Sequence, residues 1–189
     1  MVSEDPFSNF TWAILGAGNG GKTAAADLSI QGAQVRLWEF PQFSSNISSL
    51  LTNPILNISG AIHGSAHLQL VSDNLSEVIQ NVDSIMICCQ ASALVPISKL
   101  LSSFLSANVP IWLNPGNTGG AMIMYRTFEE CGVNPSDIPP IVEFGTLLYG
   151  TRALGNDVQC SVLVKRVAYG VFPSIRSIEV EPIVNRFFQ

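Results

Sequence analysis

Residues 16–23, GAGNGGKT, decide the fold of this 189-residue chain. Two phosphate-binding patterns fit this stretch at once: the G-x-G-x-x-G of dinucleotide-binding loops and the G-x-x-x-x-G-K-[ST] of P-loop nucleoside triphosphatases. Both patterns place the glycine loop between a β-strand and an α-helix. The loop alone therefore does not show whether the ligand is a dinucleotide or a triphosphate. The neighbouring segments of the sequence distinguish the two.

The segments on both sides of the loop form one βαβ unit. Residues 11–15 (TWAIL) are apolar and run straight into the loop, as a buried strand does. Residues 20–31 are rich in alanine and predict a helix, which Gly32 ends in the position after the helix that glycine favours. Residues 34–39 (QVRLWE) then predict a second strand.

The acidic residues favour a dinucleotide over a triphosphate. A P-loop enzyme needs an acid at the end of another buried strand to hold magnesium, but the runs ending at Gln90 and Asn114 end in amides. A dinucleotide-binding loop instead needs an acid about 20 residues further on, after the second strand. Glu39 stands there, 18 residues beyond Gly21. The stretch is therefore predicted to bind a dinucleotide, and a magnesium-dependent triphosphatase is the weakest alternative.

The loop residues are predicted to contact the pyrophosphate of the cofactor. Gly16 makes the tight turn, Gly18 lets the backbone approach the pyrophosphate, and Gly21 lets the helix pack closely on the strand. Asn19 and Gly20 lie at the start of the helix, whose amino end carries a partial positive charge that faces the phosphates.

Glu39 is predicted to select the cofactor. A carboxylate at this position can accept hydrogen bonds from both ribose hydroxyls of NAD and repels the 2′-phosphate of NADP. NAD is therefore expected, with NADP less favoured. Arg36, in the preceding strand, is the one cation near enough to accept a phosphate, and Lys22 is expected to be solvated.

Strand-like and helix-like segments alternate along the chain, which is typical of an α/β fold with a parallel sheet. Further strands are predicted at residues 58–63, 68–71, 84–90, 110–114 and 140–144, and strand-like runs follow at 158–164 and 167–172. Helices are predicted at 44–51, 75–81, 92–105, 121–131 and from about 181. We interpret this as a doubly wound Rossmann sheet, mainly parallel, with strand order 3-2-1-4-5-6 and helices on both faces. Residues 1–189 are taken as one dinucleotide-binding domain, with a loose arm at 1–10 and a C-terminal extension at 151–189.

Ligands of such a sheet bind outside the carboxyl ends of its strands. Gln90 and Ala91 come at the end of the strand at residues 84–90, which counts as the fourth of the sheet, and are expected along the adenosine or ribose path. Asn117 and Thr118 are expected to begin the helix after the fifth strand, with Asn117 facing the cofactor and Thr118 the substrate, although a plain turn with a helix cap is the alternative.

Two further side chains are expected on the substrate side of the same cleft. Glu143 lies in the strand at residues 140–144, which counts as the sixth of the sheet, and Thr146 follows it. A surface acid is the alternative interpretation of Glu143.

Composition limits the partners that the chain can have. Charged residues make up only 12% of it, about half the usual fraction, so apolar surface is available for a partner or an oligomer. The net charge is −5 and the nine Lys and Arg are scattered, which excludes a basic track for nucleic acid. No apolar run reaches the roughly 18 residues of a membrane helix, and the first ten residues are not a secretory signal, so a cytoplasmic location is expected. The four cysteines lack metal-binding spacing and are expected to be reduced, without a metal.

Three segments together resemble the N-terminal half of the octopine/nopaline (opine) dehydrogenase family: residues 14–39 around the glycine loop, 113–121 (LNPGNTGGA) and 143–152 (EFGTLLYGTR). The resemblance implies an NAD(P)-dependent oxidoreductase acting on CH–NH bonds, which condenses a 2-oxo acid such as pyruvate with an amino acid. Hydride from the nicotinamide then reduces the imine. The resemblance also implies that the catalytic groups lie in a second, helical domain absent from this chain. No catalytic residue is therefore assigned, and little or no turnover is expected of the chain alone.

Two other classes of protein remain open. A dehydrogenase domain of the glycerol-3-phosphate or ketopantoate type would share the glycine loop. A non-catalytic nucleotide-sensing module that docks on a partner would share the low charge and the apolar segment after Tyr149.

Overall fold

The structure of the protein is a computed structural model that describes residues 5–187. Its strands are β1 (Thr11–Leu15), β2 (Gln34–Trp38), β3 (Ile55–Gly60), β4 (Gly64–His67), β5 (Leu70–Ser72), β6 (Ser84–Ile87), β7 (Ile111–Leu113), β8 (Ile141–Phe144), β9 (Tyr149–Leu154), β10 (Asp157–Leu163) and β11 (Tyr169–Phe172). Its α-helices are α1 (Asn19–Ile30), α2 (Ser48–Thr52), α3 (Leu75–Val78), α4 (Leu94–Leu101), α5 (Gly120–Glu130) and α6 (Ser177–Phe187).

The larger sheet has seven strands in the order β11-β8-β7-β6-β1-β2-β5. All neighbours pair in parallel except β11, which runs antiparallel to β8 at one edge. With β5 as the third strand of the series, the six parallel strands have the order 3-2-1-4-5-6. The predicted Rossmann topology is therefore confirmed, and β11 is an addition to it.

A second sheet, which the sequence does not predict, has the order β4-β3-β10-β9. Its β3 pairs in parallel with β10, so that Asn57 lies opposite Asp157. The predicted strand at residues 58–63 overlaps β3, which belongs to this second sheet and ends at Gly60, where the chain bends.

Alternate residues of β1 belong to two apolar clusters on opposite faces of the main sheet. Trp12 and Ile14 lie in the cluster that α1, α6 and the second sheet cover, and Ala13 and Leu15 lie in the one that α3, α4 and α5 cover. Helices therefore lie on both faces, as predicted. Each large side chain that is fully buried in this way contributes about 1.5–3 kcal/mol to the free energy of unfolding.

The N-terminal segment is anchored from Asp5 onward. Phe7 is fully buried, packs edge-on against Trp12 with 5.8 Å between ring centroids, and donates its backbone N–H to the carbonyl of Gln31 (3.1 Å). The prediction of a loose arm is therefore wrong for residues 5–10, because burial of an aromatic ring outweighs the acidic character of the segment. Residues 1–4 lie outside the described part of the chain.

The segment predicted as a C-terminal extension is built into both sheets. It completes β9, supplies β10 to the second sheet and adds β11 to the edge of the main sheet. Helix α6 then returns to the core through the buried side chains of Val180 and Val184. Within residues 5–187, no helix has the length and apolar character needed to cross a bilayer.

Candidate functional site

The glycine loop joins β1 to α1 and has the geometry that its sequence predicts. Gly16 has a φ of +101°, and a Cβ atom there would lie 2.5 Å from the carbonyl oxygen of Cys88. A Cβ atom at Gly21 would overlap the carbonyl oxygen of Gly16, so the start of the helix lies directly on the loop. Both positions require glycine, which confirms the tight turn and the close helix packing.

Gly18 is the residue at which a ligand can approach the backbone. It is the N-cap of α1, with φ −73° and ψ −170°, and a Cβ atom placed on it would meet nothing within 4 Å. The first turn of a helix leaves backbone N–H groups without partners inside the helix, and its amino end carries a partial positive charge. The open space at Gly18 therefore faces a site suited to an anion.

Asn19 and Gly20 have neighbours in the C-terminal half of the chain. Oδ1 of Asn19 accepts a hydrogen bond from N of Ala153 in β9 (2.9 Å). A Cβ atom at Gly20 would lie 3.0 Å from Cδ1 of Leu147. The side-chain oxygen of Asn19 and the Cα atom of Gly20 therefore face the C-terminal half of the chain.

Glu39 follows β2, and its side chain is only 5% exposed. Its Oε2 accepts hydrogen bonds from N of Ala17 (3.0 Å) and from Nδ2 of Asn46 (2.9 Å), and its Oε1 accepts one from N of Phe40 (2.9 Å). A carboxylate offers about four acceptor sites, so this one has room for about one more donor. The sequence predicts an acid facing a ligand, whereas the structure shows one that also fixes the glycine loop.

A cavity of about 320 Å³ lies against Gly16, Gly18, Glu39 and Gln90, four of the residues predicted to bind a cofactor. It opens at the carboxyl ends of β1, β2 and β6, which is where α/β sheets of this type bind their ligands. Ala91, in the short 3-10 helix that precedes α4, is exposed but does not line the cavity.

A larger cavity of about 490 Å³ lies at the opposite end of the sheet. Ser76, Ile85 and Val109 are among its lining residues, and the last two lie where β6 and β7 begin. Ligands of doubly wound sheets bind at the carboxyl ends of the strands, so volume alone does not mark the functional site.

Three residues just after Glu39 complete the cavity and were not predicted as site residues. Phe40, Phe43 and Asn46 lie in or next to the 3-10 helix Pro41–Asn46. Phe43 is 53% exposed, and an exposed aromatic ring on a cavity wall offers a flat surface for a planar ligand. The two phenylalanines on either side of Pro41 were the feature of the sequence that could have indicated an aromatic wall of the cavity.

Cys88 and Cys89 also line this cavity, because β6 ends at Ile87 and not at Gln90 as predicted. Cys88 packs on one apolar cluster and Cys89 on the other, so the two face opposite sides of the sheet. Burial raises the pKa of the Cys88 thiol, and it raises the pKa of Cys89 to about 12, with the negative charge of Glu39 adding to the second shift. Both thiols are therefore protonated at neutral pH and are poor nucleophiles.

The turn after β7 differs from its prediction. Asn117 (φ 54°) and Thr118 (φ 56°) adopt the left-handed conformation, followed by Gly119 (φ 81°), and α5 begins only at Gly120. The prediction that Asn117 and Thr118 begin the helix is wrong, since a left-handed backbone cannot continue into a right-handed helix. Nδ2 of Asn117 lies 3.5 Å from the carbonyl oxygen of Cys89, which places the turn beside the cavity without lining it.

Glu143 caps α5 and does not lie free in the cleft. It lies within β8, and its carboxylate accepts hydrogen bonds from N of Gly119 (3.2 Å) and N of Ala121 (2.8 Å). A carboxylate at a helix amino end is stabilised by the helix dipole, and it fills the position that an anionic ligand would take. Thr118 and Thr146 are exposed, and neither lines the cavity at Glu39.

The two residues that would mark a P-loop contact the second sheet. Lys22 is 5% exposed, and its Nζ donates to the carbonyl oxygen of Gly155 (2.7 Å), so the prediction of a solvated lysine is wrong. Burial lowers the pKa of Lys22, and the charge of Glu39 partly opposes that shift. Oγ1 of Thr23 lies 2.7 Å from Oγ1 of Thr151. Neither side chain is therefore available for phosphate or magnesium in this conformation.

Arg36 points away from the cavity. Its Nε donates to Oε1 of Gln69 (2.7 Å) and its Nη1 to the carbonyl oxygen of Gln80 (2.5 Å). No lysine or arginine is among the described residues that line the cavity. The 2′-phosphate of a nucleotide bound there would meet the carboxylate of Glu39 and no cation.

Comparison with known proteins agrees with this geometry. No family model matches the chain. An opine dehydrogenase from Arthrobacter sp. (strain 1C) is 31% identical over 123 residues, which are 65% of this chain and 34% of that protein. The predicted resemblance to the opine dehydrogenase family is thereby confirmed. The chain spans about a third of the length of this curated relative.

Solved structures share the fold at low sequence identity. An octopine dehydrogenase with NADH and L-arginine has a TM-score of 0.75 at 14% identity, covering 86% of this chain and 42% of that one. A yersinopine dehydrogenase with NADP+ has a TM-score of 0.73 at 14% identity, covering 97% and 46%. A glycerol-3-phosphate dehydrogenase from Coxiella burnetii has a TM-score of 0.61 at 18% identity, covering 94% and 50%. These similarities establish the Rossmann fold.

Proposed function

We propose that this chain is the dinucleotide-binding domain of an oxidoreductase like the opine dehydrogenases. The observation that carries the proposal is the meeting of Gly18, at the open amino end of α1, with Glu39 across one cavity. When bound, a nicotinamide dinucleotide supplies the hydride. The chain's own residues bind that cofactor and fix its orientation.

The glycine loop fits the pyrophosphate of such a cofactor. The space in front of Gly18 is empty of protein atoms, and the free N–H groups of the first turn of α1, at Asn19 and Gly20, point toward an anion placed there. The N–H of Ala17 does not take part, because Glu39 already accepts its hydrogen bond. The positively charged amino end of α1 therefore binds the pyrophosphate, and no lysine is needed for this contact.

The opposite side of the cavity fits an adenosine. Phe43 offers an exposed ring for the purine, and Glu39 keeps one acceptor site for a ribose hydroxyl. Because the carboxylate repels a 2′-phosphate and Arg36 is bound elsewhere, we infer that the chain prefers NAD over NADP. Gln90 lines the same cavity, and Ala91 and Asn117 lie at its rim as further proposed contacts.

The substrate side is proposed at the turns after β7 and β8. Octopine dehydrogenase has been solved with L-arginine and with pyruvate, which supports an amino acid and a 2-oxo acid as the substrate classes. Thr118 and Thr146 are exposed on this side. Glu143 shapes it by holding the amino end of α5, and we assign it to positioning the turn.

The reaction we propose is the reduction of an imine formed from the 2-oxo acid and the amino acid. The chain matches about a third to a half of the length of its relatives, so the catalytic groups are proposed to lie in the part of such proteins that this chain does not match. The 189-residue chain alone is then expected to bind the cofactor and to turn over little or no substrate. A reductase of the glycerol-3-phosphate or ketopantoate type remains the nearest alternative enzyme.

A nucleotide-sensing module without catalysis is the second candidate function. Ile175 and Ile178 are 88% and 76% exposed beside the start of α6, and apolar side chains this exposed are suited to a partner or an oligomer contact. Such a module would bind the same cofactor and pass its signal through that surface.

Calorimetry of the chain with NADH, followed by an assay of NADH oxidation, tests the proposal. The assay contains pyruvate and a panel of amino acids, and parallel reactions contain dihydroxyacetone phosphate or ketopantoate. We expect saturable NADH binding and no turnover by the chain alone. Absence of NADH binding would refute the proposal, and oxidation at enzyme-like rates would show that the catalytic groups lie within the 189 residues.

A further inference from the structure

We propose that Asn46 is a second specificity-determining residue of the cleft. Its Nδ2 holds Glu39, and its Oδ1 accepts one hydroxyl of the adenosine ribose while Glu39 accepts the other. The inference rests on the proposed function, and it changes the view of the site in which Glu39 alone accepts both hydroxyls.

The need for a second acceptor follows from the hydrogen bonds of Glu39. Three protein donors, on Ala17, Phe40 and Asn46, already occupy its carboxylate. About one of its roughly four acceptor sites remains, on Oε1. A ribose 2′,3′-diol has two hydroxyl donors, so one of them needs an acceptor other than Glu39.

Asn46 is held in place by its own segment. It is the last residue of the 3-10 helix Pro41–Asn46, and the next residue, Ile47, is fully buried and donates its N–H to the carbonyl oxygen of Ser44 (3.0 Å). Leu50, one turn further on, is also fully buried. The backbone at Asn46 is therefore anchored in the core although its side chain lies on the cavity wall.

The carboxylate of Glu39 fixes the orientation of the Asn46 amide. Only the amino group of an amide can donate to a carboxylate, so Nδ2 faces Glu39 over 2.9 Å and Oδ1 faces away from it. No donor from residues 5–187 bonds to Oδ1. Asn46 thus offers one acceptor on the wall of the cavity that Glu39 also lines.

This pair of acceptors distinguishes a diol from a phosphate. Each hydroxyl of an unmodified ribose donates to one of the two acceptors. A 2′-phosphate carries negative charge, and once its second proton has dissociated it has only acceptor atoms. In this cleft it would face one carboxylate and one amide oxygen, with no cation beside them. Asn46 therefore contributes to the choice of NAD even though it is uncharged.

A thermodynamic cycle on ligand and protein tests the role of Asn46. Calorimetry measures the affinity of the wild type and of Asn46→Ala for NAD+ and for its adenosine 2′-deoxy and 3′-deoxy analogues. Ser45→Ala is the matched control, because Ser45 is the exposed neighbour that does not line the cavity. Asn46→Ser, which is too short to reach the hydroxyl, is the second variant, and thermal melts confirm that each variant is folded.

We expect the wild type to lose roughly tenfold in affinity when the hydroxyl that faces Asn46 is removed, as for one neutral hydrogen bond. Asn46→Ala and Asn46→Ser should bind NAD+ about tenfold more weakly than the wild type does. They should lose no further affinity when the ligand is the deoxy analogue that lacks the hydroxyl facing Asn46. Ser45→Ala behaves as the wild type.

The possible failures are distinguishable. If the loss of affinity caused by an Asn46 variant adds to the loss caused by each deoxy analogue, Asn46 contacts no ribose hydroxyl. The inference is then overturned, while cofactor binding stands. If the folded wild type binds neither NAD+ nor the analogues, the proposed function fails and the inference fails with it.

Discussion

The backbone N–H of Ala17 donates a hydrogen bond to Oε2 of Glu39 over 3.0 Å in the interior of the protein. The glycine loop and the acid at the end of β2 are thus joined directly, although 22 residues separate them along the chain. An acid at this position is commonly explained by its contact with a cofactor ribose alone. In this chain the same carboxylate also holds the shape of the glycine loop, which we propose binds the pyrophosphate.

Replacement of Glu39 therefore lowers stability and cofactor affinity together. Glu39→Ala leaves the donors of Ala17, Phe40 and Asn46 without their acceptor, and one unsatisfied buried donor costs about 1–3 kcal/mol. Thermal melts and NADH titration measure the two effects. Glu129→Ala, an exposed acid on α5, is the control. If Glu39→Ala melts like the wild type and gains affinity for NADPH, the carboxylate acts only by repelling the 2′-phosphate and does not hold the glycine loop.

Two glycines of the loop separate binding from folding. Gly18→Ala places a methyl group in open space at an ordinary φ, so we expect a melting temperature near that of the wild type and at least a tenfold loss of NADH affinity, about 1.4 kcal/mol. Gly21→Ala drives its methyl group into the carbonyl oxygen of Gly16, and we expect a loss of more than about 3 kcal/mol in the free energy of unfolding. Chemical denaturation with calorimetry measures both. Full affinity in folded Gly18→Ala would mean that no ligand approaches this backbone.

Lys22 is expected to be dispensable for cofactor binding. Its ammonium donates to the carbonyl oxygen of Gly155 and is largely buried, so Lys22→Met keeps the packing of the stem and removes a charge that burial disfavours. We expect NADH affinity within about twofold of the wild type and a free energy of unfolding changed by less than about 1 kcal/mol. A loss of tenfold or more, or saturable binding of Mg-ATP that depends on Lys22, would restore the P-loop interpretation.

Asp27 gives the fold a dependence on pH that a single substitution removes. Its carboxylate accepts hydrogen bonds from Oη of Tyr149 and Nε2 of Gln31, both over 2.8 Å, but burial raises its pKa above the ordinary value of 3.8. The folded protein therefore holds this proton to higher pH than the unfolded chain does. The contribution of Asp27 to stability is complete below that ordinary value and is lost as pH rises through the raised one. Urea unfolding of the wild type and of Asp27→Asn across this range should show that loss only in the wild type.

Tyr149 provides the companion variant. Tyr149→Phe removes the hydroxyl that donates to Asp27, a hydrogen bond to a charged group that contributes about 1.5–3 kcal/mol. Tyr169→Phe, with a ring that is 44% exposed, is the control and should change little. Equal stability of the two variants at neutral pH would show that the Tyr149–Asp27 contact does not contribute to the fold.

The local part of the fold is predictable because its signals are contiguous in sequence. Residues 11–39 contain an apolar strand, a glycine loop, an alanine-rich helix and a second strand, and each of these is recognisable from a few neighbouring residues. The order of the parallel strands follows from the rules for such units. Gly16, Gly18 and Glu39 meet at one cavity for the same reason.

The rest of the fold depends on contacts between distant segments. The second sheet pairs Asn57 with Asp157, and neither strand shows a pattern that names its partner. Lys22 reaches Gly155, 133 residues away, so its burial has no local signal. Asn46 is likewise unremarkable in sequence until its amide is seen to contact Glu39.

Titration of the chain with NADH and NADPH, followed by the fluorescence of the reduced nicotinamide, tests the central claim most directly. The account predicts saturable NADH binding and an affinity for NADPH at least about tenfold lower, because a 2′-phosphate meets the Glu39 carboxylate without a cation. Equal affinity for the two nucleotides, or no saturable binding of either, would contradict it.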